Sequence, residues 1–292
     1  MSQKYTALIM DLKNSREYSE RERYEIQNHL FIILDFLNKV YEENIIRRVD
    51  FSAGDEMQGL FSTAESAYLF YRLLSIWLHP VKIRAGIGVG SWDLQIADRG
   101  TTSQDGKAYH NARDAINNTS DADGYSVLIY SKTSQDIALN TIIGGAAAIT
   151  ENLSVNQNQL LLTTEILYPI CFQSELHWPS NPDMISGLLQ EKSHFDHETG
   201  KISRALPLDQ IRYLPMKVYD QGRTMPKDDL YKQLESGAFY ITSGKQRGIQ
   251  TELAKILSIT RQTVSRSLNT GNTYIARNMA LTALCEMKKI DK

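Results

Sequence analysis

The sequence predicts an α+β protein, in which a small sheet with packed helices is followed by a mostly helical region. Two observations support this prediction. Up to residue 90, short apolar or alternating runs are separated by longer stretches whose apolar residues recur every three or four positions. In residues 134–172, and again in residues 249–289, the periodicity is that of helices.

The first 90 residues contain the predicted sheet. Tyr5–Met10 is a short apolar run that ends at Asp11, which is typical of a buried strand. Val81–Gly90 alternates and predicts another strand, with Ile83, Ala85, Ile87 and Val89 on one face. Between them we predict a helix at Glu17–Glu43, hairpin strands at Ile45–Phe51 and Glu56–Phe61, and a helix at Thr63–His79 that Pro80 ends. The resulting order, β-α-β-β-α-β, is the ferredoxin-like arrangement.

Two acidic positions are candidates for a metal site. Asp11 follows the first strand, and Gly54-Asp55-Glu56 forms the tip of the hairpin. We expect the first strand to lie beside the strand that leads into the hairpin, which would bring Asp11 and Asp55 together. Two carboxylates with phosphate oxygens and water can hold Mg²⁺ or Mn²⁺, and such ions serve phosphoryl transfer. The alternative is an ordinary hairpin turn, since turns favour Gly and Asp.

Four motifs in this order resemble those of the SatD-like proteins and, more distantly, the palm-type domains of class III nucleotide cyclases and diguanylate (GGDEF) cyclases. The resemblance covers about residues 4–130, which we expect to end in a helix at Ala108–Asn117 and a strand at Ser126–Tyr130. The motifs are Asp11-Leu12-Lys13-Asn14-Ser15-Arg16, Gly54-Asp55-Glu56-Met57-Gln58-Gly59-Leu60, Arg84-Ala85-Gly86-Ile87-Gly88-Val89-Gly90 and Gly106-Lys107-Ala108-Tyr109-His110-Asn111-Ala112-Arg113-Asp114-Ala115.

The resemblance implies roles for individual residues. Asp11 and Asp55 would be the metal carboxylates, with Glu56 beside them, although Glu56 points away from Asp55 in a strand and is expected to be solvated. Asp55 and Arg113 are the candidates for catalysis. The expected nucleotide-binding residues are Ser15, Arg16, Gly54 and Arg113.

The departures from the cyclase pattern weaken the case for catalysis. Phe51 stands where class III cyclases use a Lys to select the purine. His110 and Asp114 stand where they place an Asn and an Arg four residues apart. Arg113 lies nearby and is suited to a phosphate. Because fixed donors stabilise the transition state, a chain without that pair is expected to bind a nucleotide without converting it.

The middle of the chain is less readable. Ser134–Glu151 and Gln157–Phe172 predict helices, whereas residues 174–240 contain five of the seven prolines. Within the latter, Lys201–Leu206 and Pro215–Tyr219 are candidate strands, and His194 and His197 belong to no complete metal-binding pattern. We therefore divide the chain into a sheet domain at residues 1–132, a helical connector at 133–240 and a C-terminal domain at 241–292.

Ile249–Leu268 resembles a helix-turn-helix of the kind that reads DNA. Ser258-Ile259-Thr260 forms the predicted turn, and Thr260 caps the second helix. The predicted DNA-binding residues are Thr260, Arg261, Gln262, Thr263, Ser265 and Arg266. The alternative is a helical hairpin used only for packing. A further helix at Asn272–Lys289 would support the motif or form a homodimer contact, which suits paired half-sites.

Composition favours a DNA-binding protein of the cytoplasm. Residues 241–292 carry nine Lys or Arg and three Asp or Glu, a balance of +6, so the remaining 240 residues carry −8 of the net charge of −2. No secretory or membrane-spanning run is present, and Cys171 and Cys285 have no metal-like spacing. The sequence therefore predicts a DNA-binding transcriptional regulator whose cyclase-like domain binds a nucleotide and a divalent metal. The alternative is a metal-dependent nucleotide cyclase or nucleotidyltransferase.

Overall fold

A computed structural model describes residues 3–93, 105–119, 124–170, 182–200, 206, 208, 211 and 239–290. The strands are β1 (Tyr5–Leu12), β2 (Ile45–Ala53), β3 (Glu56–Phe61), β4 (Ile83–Gly90) and β5 (Val127–Tyr130). The α-helices are α1 (Glu20–Val40), α2 (Ala64–Leu78), α3 (Lys107–Asn117), α4 (Asp136–Glu151), α5 (Val155–Leu167), α6 (Pro182–Gly200), α7 (Ile249–Ile256), α8 (Arg261–Thr270) and α9 (Thr273–Ile290). The chain is thus a mixed α+β protein, as the sequence predicts.

The sheet has the strand order β2-β3-β1-β4-β5. β1 is antiparallel to both β3 and β4, and β5 is parallel to β4. Our expectation that β1 lies beside β2 is therefore wrong. β1 and β2 run in the same direction with a gap between them, and the tight turn at Gly54 (φ 62°) folds β3 back into that gap. On the hairpin side, the neighbour of β1 is consequently β3, the strand that begins with Glu56.

The two faces of the sheet have different covers. On one face, Leu8 and Met10 of β1 belong to the large core formed with α1 and α2. On the other face, Ala7 and Ile9 pack with the buried residues of α3. This alternation follows from the two-residue period of a strand. Asp11 has the parity of Ala7 and Ile9 and therefore lies on the α3 face.

The glycines of β4 let α3 lie directly on the sheet. A Cβ atom on Gly88 would come within 2.1 Å of the backbone nitrogen of Ala112, and one on Gly86 within 2.2 Å of the Ala112 carbonyl oxygen. Any side chain at these positions would displace the helix. The Gly-x-Gly-x-Gly spacing of this strand is therefore explained by the close packing of α3. This packing also fixes the position of Arg113 over the sheet.

The remaining helices extend the same hydrophobic core. α9 packs against α4 and α2, α6 against α1, and α8 against α5 and α7. Buried residues of one continuous cluster run from Leu8 in β1 to Ile290 in α9. None of the helices described is both long and apolar enough to cross a bilayer.

Some predicted boundaries change in the structure. α1 begins only at Glu20, where Ser19 and Glu22 form a capping box, and Ser15–Glu17 is a separate short 3-10 helix. α6 lies in a region where we predicted no helix. The candidate strand Pro215–Tyr219 lies outside the described residues, as does Lys201–Leu206 apart from Leu206.

Candidate functional site

Asp11 forms an ion pair with Arg84 on the neighbouring strand. The two residues are register partners in β1 and β4, on the face that α3 covers. The Nε and Nη2 atoms of Arg84 donate to the Oδ2 atom of Asp11 at 3.1 and 2.6 Å. Both bonds use one carboxylate oxygen, so neither the other oxygen of Asp11 nor the Nη1 atom of Arg84 has a partner among the described residues.

Glu56 forms a second, more complete pair with Arg113 of α3. The Nη1 and Nη2 atoms of Arg113 donate to Oε2 at 2.5 Å and to Oε1 at 2.8 Å, and the Ser52 hydroxyl also donates to Oε1. Hydrogen bonds from Arg113 lower the pKa of Glu56, against a raising effect of burial. Our expectation that Glu56 is solvated is wrong, because α3 lies close enough to the sheet for Arg113 to reach this strand.

A polar cleft with a volume of about 540 Å³ opens beside these pairs. It is lined by Asp11, Leu12, Lys13, Asn14, Ser15, Arg16, Glu17, Asp55, Arg84 and Thr119. Asp11 and Asp55 therefore face one cleft, although β1 and β2 are not neighbours. Glu56 and Arg113 are not among its lining residues. Asp55 makes no hydrogen bond or ion pair with the residues that the structure describes, so its carboxylate is available to a ligand.

A smaller cavity of about 230 Å³ adjoins the cleft and adds apolar surface. The two share Leu12, Ser15, Arg16 and Asp55. The smaller cavity adds Tyr18, Arg23, Ile26, Gln27 and Gly54. Five predicted residues, Asp11, Ser15, Arg16, Gly54 and Asp55, thus lie around this pair of cavities. Together the cavities offer a charged part and an apolar part, as binding sites for small molecules commonly do.

The residues present fit a divalent cation only in part. Within the described ranges, no three His, Cys, Asp or Glu side chains lie close enough together to hold a metal ion. Asp11 and Asp55 offer two carboxylates, which suits Mg²⁺ or Mn²⁺ when a ligand supplies phosphate oxygens. Both oxygens of Glu56 are occupied by Arg113 and Ser52. The site therefore fits a cation that arrives with an anionic ligand.

Residues at or next to the positions where the chain departs from the cyclase pattern contact other parts of the protein. Asn111 is buried, and its side-chain amide donates to the carbonyl oxygen of Val89 at 2.8 Å. The Nε2 atom of His110 lies 3.0 Å from the Oδ1 atom of Asp105. Phe51 lines a groove of about 340 Å³ with the exposed rings of Tyr24 and Phe31. Asn111 thus serves to hold α3 on β4.

The outer face of α8 is a second candidate site. Thr260 caps the helix, since its hydroxyl oxygen accepts from the backbone nitrogen of Thr263 at 3.1 Å. Val264 and Leu268 are buried on the inner face. The predicted DNA-binding residues Thr260, Arg261, Gln262, Thr263 and Arg266 are exposed, and Ser265 is half-buried. Neither Arg261 nor Arg266 forms an ion pair within the described part of the chain.

Sequence reasoning did not include Arg84 among the site residues. The signal was present, because Arg84 shares its parity with Gly86 and Gly88, which face α3. The strand register then places it opposite Asp11. Lys13 is a further cation in the cleft, and its Nζ donates to the Ser126 hydroxyl at 3.0 Å.

Comparison with known proteins gives one family. The model of the SatD family matches residues 5–177, which is more than half of the chain and runs from β1 through α5. No curated protein matches. The structural elements that carry the four motifs lie within the matched residues. The chain therefore belongs to the SatD family.

Proposed function

We propose that this protein is a DNA-binding transcriptional regulator that senses a nucleotide through its N-terminal sheet. The observation that carries the proposal is the outer face of α8. Arg261 and Arg266 are exposed there and have no acidic partner among the described residues, while Val264 and Leu268 bury the opposite face. A helix fixed from behind, with unpaired guanidinium groups in front, is suited to phosphates and base edges.

The helix pair α7–α8 fits the helix-turn-helix reading. Only four residues, from Leu257 to Thr260, separate the two helices, and Ser258 has the positive φ of 51° that a tight turn requires. Leu253 and Leu257 are buried with Val264 behind the turn. A ten-residue helix is about 15 Å long, and the major groove, about 12 Å wide, admits a helix. The net charge of +6 in residues 241–292 supports the same partner.

The cleft between Asp11 and Asp55 is the proposed nucleotide site. Lys13, Arg16 and Arg84 supply cations for phosphates in the polar part, and Asp11 and Asp55 would hold an accompanying Mg²⁺ or Mn²⁺. The adjoining cavity would take the apolar face of a base against Tyr18. The β-α-β-β-α-β order and the four motifs support a cyclase-like domain.

The second candidate function is a nucleotide cyclase or nucleotidyltransferase. It is favoured by Asp11 and Asp55 facing one cleft. It is disfavoured because Arg113 is occupied by Glu56 and Asn111 by the backbone of Val89. Incubation with each nucleoside triphosphate and Mn²⁺ tests it directly. Pyrophosphate release by the wild type that disappears in Asp55→Asn would establish the enzyme and overturn the sensor proposal.

DNA binding is tested by fluorescence anisotropy with mixed-sequence duplex DNA at rising salt concentration. We expect wild-type binding at low salt and a weaker dependence on salt for Arg261→Ala and Arg266→Ala, with the slope reduced by about one for each phosphate contact removed. Arg21→Ala is the matched control, since Arg21 is an exposed arginine that pairs with Glu198. Absence of DNA binding at low salt, or an equal reduction of the salt dependence in the control variant, would refute the proposal of a DNA-binding regulator.

Nucleotide binding is tested separately with fluorescent nucleoside triphosphate analogues and Mn²⁺. Asp55→Asn should weaken binding, because it removes an unpaired carboxylate from the cleft. Asp35→Asn is the control, since Asp35 is an exposed acid whose partners are Lys39 and Arg48. Equal affinities for the wild type and Asp55→Asn would place the nucleotide elsewhere.

A further inference from the structure

We propose that Arg84 is the phosphate-binding residue of the cleft and that Asp11 is its partner only while the cleft holds no ligand. Ligand binding would then exchange a carboxylate for a phosphate on the same guanidinium group. This inference rests on the nucleotide site proposed above and assigns its anion-binding residue. It selects Arg84, a strand residue, over Arg113, which the motifs favoured.

The geometry of the two arginine pairs distinguishes them. Arg113 contacts both oxygens of Glu56, and Ser52 adds a third bond, so this pair is fully formed. Arg84 contacts a single oxygen of Asp11 through Nε and Nη2. The Nη1 group of Arg84 therefore remains for another acceptor, and the second oxygen of Asp11 remains for another donor or a cation. The Arg84–Asp11 pair can therefore be broken without the loss of a complete fork-to-fork contact.

Position in the cleft distinguishes the pairs again. Arg84 and Asp11 both line the 540 Å³ cleft, together with Asp55 and Arg16. The side chain of Arg84 is 44% exposed and that of Asp11 is 18% exposed. A ligand entering the cleft therefore meets the guanidinium group first. Because a phosphate presents several charged oxygens, it can match the planar fork better than one carboxylate oxygen does.

The exchange links the two halves of the site electrostatically. While Arg84 holds Asp11, the positive charge beside this carboxylate opposes the approach of a cation. Once a phosphate takes the guanidinium group, the carboxylate of Asp11 is released to face the cleft beside Asp55. The cleft would thus bind the anion and the cation together better than either alone, which is a coupling between two ligands of one site.

The test measures two probes separately in the full chain. Inorganic triphosphate without metal is titrated calorimetrically, and Mn²⁺ alone is titrated by electron paramagnetic resonance. Arg84→Met should weaken triphosphate binding by about tenfold or more, as expected when charged hydrogen bonds are lost. The same variant should strengthen Mn²⁺ binding, because Asp11 loses the cation that is hydrogen-bonded to it. Asp11→Asn should do the reverse, with tighter triphosphate and weaker Mn²⁺ binding.

Opposite changes for the two probes are the signature of the exchange. If the Arg84–Asp11 pair only supported the fold, both variants would bind both probes more weakly, and that result would overturn the inference. Arg84→Lys, which keeps the charge but loses the fork, should lie between the wild type and Arg84→Met. Arg48→Met is the matched control, since Arg48 pairs with exposed Asp35 at 3.1 Å and does not line the cleft.

Failure of the proposed function gives a different result. If the wild type binds neither triphosphate nor any nucleoside triphosphate, the nucleotide site itself is refuted, and this inference with it. If the wild type binds a nucleotide but Arg84→Met leaves the affinities of both probes unchanged, only the role of Arg84 is refuted.

Discussion

Arg277 in α9 donates a hydrogen bond to the buried carboxylate of Glu165 in α5. The same oxygen accepts from Arg72 of α2 at 2.7 Å, so one carboxylate holds two buried guanidinium groups. Burial raises the pKa of Glu165, but the charges of Arg277 and Arg72 outweigh it, so the pKa lies below its ordinary value. This contact joins α2, α5 and α9 through one buried carboxylate.

Glu165→Gln should destabilise the fold strongly. It leaves Arg72 and Arg277 buried without a compensating charge, and breaking a buried ion pair in this way costs roughly 3–5 kcal/mol. The free energy of unfolding in urea is the measurement. Glu286→Gln provides the comparison, because its pair with Lys289 is partly exposed and should change stability by about 0–1 kcal/mol. Similar losses in the two variants would contradict the central role of Glu165.

The protein should lose stability in mild acid because of two buried histidines. Burial first, and then the charge of Lys192, lower the pKa of His29 to about 3 and that of His79 to about 4, from 6.5. Between about pH 6.5 and pH 4, the unfolded chain therefore binds more protons than the folded one. As the pH is lowered through this window, the free energy of unfolding should therefore fall by about 1.4 kcal/mol per pH unit for each histidine.

Urea unfolding at a series of pH values in His29→Gln and His79→Gln checks this expectation. Each variant should show a flatter dependence on pH, whatever its stability at pH 7. An unchanged slope in both buried variants would show that other groups set the acid sensitivity.

Gly88→Ala should displace α3 from the sheet. The new methyl group would meet backbone atoms of Ala112 and Ala108, which cannot rotate away. Overpacking of this kind costs about 1–3 kcal/mol, and more where backbone must move. Gly187→Ala is the control, because Gly187 lies in α6 with open space around its Cα and should gain about 0.5–1 kcal/mol from helix propensity. Thermal unfolding separates the two, and equal melting temperatures would contradict the close packing.

Thr260→Ala should weaken the first turn of α8. Removal of an N-cap hydroxyl typically costs about 1 kcal/mol, whereas Thr260→Ser keeps the bond to the Thr263 amide. Hydrogen exchange of the amides in α8 reports this directly. Faster exchange confined to the Ala variant is expected, and equal exchange in both variants would show that the cap does not hold this helix.

Local pattern was sufficient for most individual elements. The alternation in β4 correctly placed Ile83, Ala85, Ile87 and Val89 on the face that is buried in the main core. The Thr260 cap also follows from the local sequence. Such features depend on the geometry of one helix or strand and are therefore visible in a short window.

Pairings across the chain were beyond the sequence. The neighbour of β1 depends on how the hairpin is inserted into the sheet, because β3 and not β2 lies beside β1. Glu56 acquires its partner Arg113 only because α3 packs on the sheet. α6 was missed for a related reason. Lys192 and Asp196 are fully buried and pair with each other, so charged residues occupy core positions and obscure the apolar stripe. Glu165, Arg72 and Arg277 likewise read as surface residues until their elements are packed together.

The position of α9 has a consequence for the design of shorter fragments. Its buried residues, among them Ala280, Leu284 and Met287, fill the core against α4 and α2, and Lys4 at the first strand donates to the carbonyl oxygen of Ile290. A fragment limited to residues 5–177 would leave those faces of α4 and α2 open to water and Arg72 and Glu165 without Arg277. Such a fragment should aggregate, and a shorter version of the protein would have to keep the last helix.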